Sequence, residues 1–131
     1  MKLRSHIISG FLTLSLCSLS FSAHAKELTI VNNSDFYSTS FINGTMCSST
    51  LSGGITQPHS TNVVADSVIN LACLFYPTNC TADVYMTKNC SGLKVGTVVF
   101  DTKKGIKSIV NLTTKYKISG SYFRIQFDVV A

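Results

Sequence analysis

The sequence predicts an all-β fold, a single antiparallel β-sandwich or flattened barrel of eight to nine short strands braced by two disulfides. Three observations carry this. Apolar and polar residues alternate with a period of two along nearly every segment after Lys26, the pattern of a strand with one face buried. Turn chemistry recurs at short intervals, and no apolar period of 3.6 is sustained over ten residues. An even set of cysteines remains once an N-terminal leader is set aside.

Taken in order, "ELTIVNN" sets Leu28 and Ile30 on one face against Glu27, Thr29 and Val31. Further strands are predicted over 36–42, 61–65 and 67–75. The stretch "ADVYMTK" puts Ala82, Val84 and Met86 opposite Asp83, Tyr85 and Thr87, so 81–88 reads as a strand. The segments 94–100, 106–112 and 115–119 follow. The clearest alternation closes the chain, where Phe123, Ile125, Phe127 and Val129 interleave with Tyr122, Arg124, Gln126 and Asp128. Turns are expected at Asn43-Gly44, Gly53-Gly54, Pro77-Thr78-Asn79, Ser91-Gly92, Lys103-Lys104-Gly105 and Ser119-Gly120. Such spacing suits one sandwich domain over 26–131.

The first 25 residues read as a secretory signal peptide. Lys2 and Arg4 precede an apolar run over 7–21, and Ala23-His24-Ala25 is an A-x-A cleavage site. Leu16 before Cys17 is too bulky for a lipoprotein attachment motif. The expected product is exported, extracellular or periplasmic, with its positive charge falling from +5 to +3 as Lys2 and Arg4 leave.

The leader also takes Cys17, leaving Cys47, Cys73, Cys80 and Cys90 for an oxidising compartment. Cys80 and Cys90 cannot bond each other across a strand, since ten residues at about 3.3 Å each span roughly 30 Å, far beyond the ~7 Å limit between Cα atoms. A hairpin of 67–74 with 80–87 about Pro77 would bring Cys73 to Cys80 and leave Cys47 for Cys90. The crossed alternative is Cys47–Cys80 with Cys73–Cys90.

Two stretches carry resemblances. "LTIVNNSDFYSTSF" with "GGITQPHSTNVV" resembles the opening hairpin of secreted β-sandwich families, thaumatin-like proteins among them, without their length, cysteine content or acidic cleft. "ADVYMTKNCSG" with "VGTVVFD" resembles small exported proteins of Gram-negative intracellular bacteria without assigned activity. The resemblance implies export and a β-sandwich, and transfers no catalytic residue.

Little in the chain points to catalysis. His59, in "QPHST", is the only histidine after the leader and reads as a solvated turn residue; a hydrolase needs a base set beside a nucleophile. No H-x-H, C-x-x-C or H-E-x-x-H spacing supports a metal, no cofactor motif occurs, and Gly53-Gly54 lacks the following helix of a phosphate loop. The acids Asp35, Asp66 and Asp101 sit beside turns, where aspartate accepts backbone hydrogen bonds. Five N-x-S/T sequons, at Asn32, Asn43, Asn79, Asn89 and Asn111, read as a surface rich in Asn, Ser and Thr.

Charge is the uneven feature. Residues 26–99 hold three lysines against four acids, whereas 100–131 hold Lys103, Lys104, Lys107, Lys115, Lys117 and Arg124 against Asp101 and Asp128. If their strands are neighbours, these cations and Tyr122 form one basic patch suited to an anionic membrane surface, an acidic glycan or an acidic host or envelope protein. The sequence thus leads to a monomeric, non-enzymatic binding module. A small hydrolase of glycans or peptides and a structural envelope protein are its rivals. Nucleic acid is a poor partner for an exported chain without a recognition motif.

Overall fold

A computed structural model describes residues 26–130; the expected signal peptide, its cleavage after Ala25 and Cys17 lie outside the described residues. Nine strands form two sheets: β1 (Leu28–Asn33), β2 (Thr39–Ile42), β3 (Met46–Cys47), β4 (Ser60–Val64), β5 (Cys80–Tyr85), β6 (Lys94–Asp101), β7 (Gly105–Asn111), β8 (Tyr116–Ser121) and β9 (Arg124–Val129). The first sheet runs β4-β1-β9-β8 and the second β3-β2-β5-β6-β7. The fold is the all-β sandwich that the alternation predicts.

The inward faces are those the period of two marks. Leu28, Val64, Ile118, Ile125 and Phe127 from the first sheet meet Val84, Val95, Val98 and Phe100 from the second. Burying each such side chain stabilises the fold by about 1.5–3 kcal/mol. Val129 is the exception on its face: at the strand's end it is 55% exposed. Gly96 lets the sheets approach where β6 faces β8, since a Cβ there would come within 2.4 Å of the Ile118 Cδ1. At that edge Asn111 bridges the sheets. Its Oδ1 accepts from the Ile118 N–H at 2.7 Å and its Nδ2 donates to the Ile118 carbonyl at 3.1 Å.

Three expectations are corrected. Residues 67–75 are not a strand; α1 (Asp66–Ala72) occupies this stretch. A short apolar run fits either period. Here Ile69, Ala72 and Cys73 fall on one buried helical face, and Asp66 stands in the first turn, where its charge suits the helix dipole. Second, the sandwich is not wholly antiparallel, for β1 and β9 run parallel, Ile30 beside Ile125. Third, the strand predicted over 36–42 begins only at Thr39, preceded by one bridge between Ser38 and Thr56.

Both disulfides join the pairs expected, Cys47–Cys90 and Cys73–Cys80. The second arises by a different route from the hairpin. Cys73 caps α1, and turns closed by Tyr76 N–H to Cys73 O and Asn79 N–H to Tyr76 O bring the chain back to Cys80.

Candidate functional site

The two ends of the sandwich differ, and the expected basic patch divides between them. The first end gathers the start of β1, α1, the loop 73–80, the β6–β7 turn and the β8–β9 turn. Its parts are fastened by backbone bonds: Thr102 N–H to Pro77 O at 2.8 Å, and Ile106 N–H to Tyr122 O at 2.8 Å. Gly105, at φ +96°, permits the closest approach, because a Cβ there would meet the Tyr122 backbone at 2.2 Å. Lys103, Lys104, Lys107, Arg124 and Tyr122 all lie at this end. Lys26, which the charge reading did not include, joins them with its Nζ 5.6 Å from the centre of the Phe123 ring.

Lys115 and Lys117 do not. Lys115 precedes β8 and Tyr122 follows it, so about 20 Å of strand separates them. Lys117 stands across the β8–β9 ladder from Asp128, whose carboxylate accepts from the Asn33 and Gln126 amides. The Asn33 bond first, then that of Gln126, with Lys117 nearby, hold the Asp128 carboxyl below the ordinary aspartate pKa. Periodicity places residues on a face, but it does not say which end of which sheet that face occupies.

The β6–β7 turn explains why the two lysines at its tip stay available. Asp101 is buried, and its Oδ1 accepts from the backbone N–H groups of Lys103 at 2.8 Å and Lys104 at 3.0 Å. Its carboxylate is committed to the turn's backbone. Among the described residues, the side-chain contacts between a basic residue and a carboxylate, His59 with Asp35 and Lys94 with Asp83, involve neither lysine. Lys107 is engaged differently, donating from Nζ to Thr78 O at 2.9 Å and Asn79 Oδ1 at 3.1 Å. It ties the 73–80 loop to β7.

The Lys103 N–H above all, then that of Lys104 and the charges of Lys104 and Lys107, hold the Asp101 pKa below its ordinary value against the opposing effect of burial. A carboxylate with a lowered folded pKa adds stability in full above its unfolded pKa, about 3.9. That contribution is lost as pH falls through the folded value. We expect the thermal midpoint to drop below about pH 4, and Asp101→Asn to flatten this acid limb while Asp128 sustains the remainder. Parallel curves for the two proteins in a pH series would dissociate the turn from the acid dependence.

The residues considered for catalysis lie elsewhere. His59 is exposed at the opposite end and contacts Asp35, with no hydroxyl or thiol bonded to its ring among the described residues. No cluster of three or more histidines, cysteines or acids is placed to hold a metal among the described residues. Between the sheets lies an apolar cavity of about 90 Å³, lined by Ile30, Ile42, Val68, Val84 and Val98 among others. It is well below the roughly 300–1,000 Å³ of ligand clefts.

The apolar part of the first end was missed in the sequence. Leu71, Leu74, Phe75 and Tyr76 are all exposed there, as is Tyr122. The signal was the run "LFYP": once 67–75 is read as a strand, its apolar residues are counted as core, whereas the end of a helix offers them no second sheet to pack on.

The family model described as "T2SS substrate NttC" matches residues 2–131. The chain belongs to the NttC family. A solved structure, that of the Legionella pneumophila type II secretion system substrate NttC, shares the fold with a TM-score of 0.66 and 24% identity. The match covers 79% of this chain and 96% of that one. No curated protein matches. As an NttC-family member this is an exported protein, of the kind the "ADVYMTKNCSG" resemblance implied. The likeness to thaumatin-like proteins finds no support. Among the described residues of this NttC-family chain, no helix is long and apolar enough to cross a membrane.

Proposed function

We propose that this protein is an exported, non-enzymatic binding module that holds an anionic surface, whether lipid headgroup, glycan or acidic protein, with the first end of its sandwich. The observation that supports this most directly is the β6–β7 turn. Lys103 and Lys104 project from a tip whose one carboxylate, Asp101, is taken up by backbone N–H groups. Lys26, Lys107 and Arg124 stand around it, against Glu27 and Asp66. Lys115 and Lys117 have no part in this surface.

Two double mutants should therefore behave differently. Near an anionic surface each basic residue contributes on the order of 1 kcal/mol. Lys103→Glu/Lys104→Glu is expected to cost about 2 kcal/mol or more, roughly a thirtyfold loss of affinity for a sulfated-glycan resin or an anionic vesicle. Lys115→Glu/Lys117→Glu should bind nearly as the parent does. Binding should weaken steeply with salt, because exposed charges are screened within about 10 Å at 0.1 M. Folding should hardly change in either mutant. Equal losses in both, or binding indifferent to salt, would remove the turn from consideration.

A further inference from the structure

The exposed apolar residues at the basic end raise a question that charge alone does not answer. Phe75 is 85% exposed, more than any other large apolar residue among those described, with Leu71 at 60% and Leu74 at 59% beside it and Tyr122 at 76% on the adjoining turn. Several large apolar side chains held in water at one end of a fold point to an interaction site. A floppy segment could fold such side chains back, but this loop cannot. It is closed by Cys73–Cys80, pinned by Thr102 N–H on Pro77 O, and clamped by Lys107 on Thr78 and Asn79.

Resting on the anionic-surface reading above, we infer that the partner is an anionic lipid bilayer, into whose interface the Cys73–Cys80 loop inserts Phe75 and its neighbours. The chemistry is complementary on both counts. An acidic glycan would engage the lysines and leave Phe75 in water, and an acidic protein would need an apolar pocket matched to this fixed tip, a match that a fluid bilayer does not require. A bilayer offers headgroup charge to Lys103 and Lys104 and, a few ångströms deeper, an apolar region for Phe75. Tyrosines such as Tyr76 and Tyr122, apolar in body and polar at the tip, suit the boundary between the two. The disulfide holds the tip extended before contact, so insertion forfeits little loop entropy.

The chain contains no tryptophan, which makes the test direct. In the mature protein, Phe75→Trp should shift its emission to the blue and become quenchable by acyl-chain-brominated lipid on addition of vesicles of equimolar phosphatidylcholine and phosphatidylserine. Leu93→Trp, exposed at the opposite end, should do neither. Phe75→Ser should lower vesicle affinity about tenfold or more, the loss expected when a large apolar side chain no longer leaves water, with thermal stability unchanged. Vesicle binding that is lost in Lys103→Glu/Lys104→Glu but survives Phe75→Ser, with the indole of the Phe75→Trp protein still in water, would overturn insertion and leave the anionic-surface reading standing. Binding indifferent to both substitutions would overturn the two together.

Discussion

Replacing Cys47 and Cys90 together by serine is expected to lower the unfolding free energy by about 4 kcal/mol. The bridge closes a loop with a sequence separation of 43, and the entropy it removes from the unfolded chain grows with the logarithm of that length. For a domain of this size the midpoint should fall on the order of 20 °C. Folded domains hold only about 5–15 kcal/mol in all, so the reduced protein sits near its threshold. What the bridge fastens is local as well. β3 has two residues, too few to hold an edge unaided, and Cys90 anchors the β5–β6 loop, its N–H donating to Thr39 Oγ1 at 2.9 Å. Removing Cys73–Cys80, with a separation of 7, should cost only about 2.5 kcal/mol by the same relation. Urea unfolding of the two double mutants checks the order. A denatured chain freed of the longer crosslink also expands, so its dependence on urea should steepen. Equal midpoints for the two mutants would contradict the dependence on loop length.

The strands with one apolar face were legible because alternation reports burial on one side, and both sheets bury one side. β6 and β9 stand where the pattern puts them, within a residue or two, whereas β5 stops at Tyr85, three residues before the expected end. The failures have separate causes. Residues 67–75 carry too few apolar positions to distinguish a period of 2 from one of 3.6, and the choice is made by the tertiary contacts of Ile69 and Ala72. The cysteine pairing survived that error because a helix followed by two turns returns the chain to Cys80 as a hairpin would. The basic patch was half legible. Lys103, Lys104 and Lys107 are local in sequence and stay together in space, whereas grouping them with Lys115 and Lys117 assumed that neighbouring strands share ends. Leu74, Phe75 and Tyr76 were hidden by the opposite assumption, that apolar residues in a β protein face its core.

The same bias concealed Asn32, and the largest single-residue effect is expected there. The Asn32 sequon reads as part of a surface rich in Asn, Ser and Thr, yet Asn32 and Ser34 are both fully buried. Asn32 stands beside Phe127 in the sheet, facing inward where the alternation calls for an apolar residue. Its amide takes up four backbone and hydroxyl groups where the chain leaves β1 for the other sheet. Nδ2 donates to Phe36 O at 2.7 Å and Gln57 O at 3.2 Å. Oδ1 accepts from the Ser34 N–H at 3.1 Å and the Ser34 hydroxyl at 2.7 Å. Asn32→Ala removes all four partners at once. A buried polar group left unpaired costs about 1–3 kcal/mol, so the substitution should destabilise the protein by about 3–5 kcal/mol after the Ser34 hydroxyl turns to Phe36 O, 3.1 Å away. Asn32→Asp has the same shape and keeps the two accepted bonds, but it sets a buried carboxylate against the carbonyls of Phe36 and Gln57. It should be no better than alanine at neutral pH and recover partly in acid, where a protonated carboxyl can donate to one of them. Ser34→Ala, which leaves the amide's donated bonds intact, should cost about 1–2 kcal/mol. Because both amide protons are committed inside the fold, the Asn32 sequon should also stay unmodified in any folded preparation, whereas Asn79 and Asn89 are exposed. Chemical denaturation of the three variants tests the network. An Asn32→Ala protein within about 1 kcal/mol of the parent would mean that water replaces the amide, and that the crossover from β1 to β2 is held by the sheets alone.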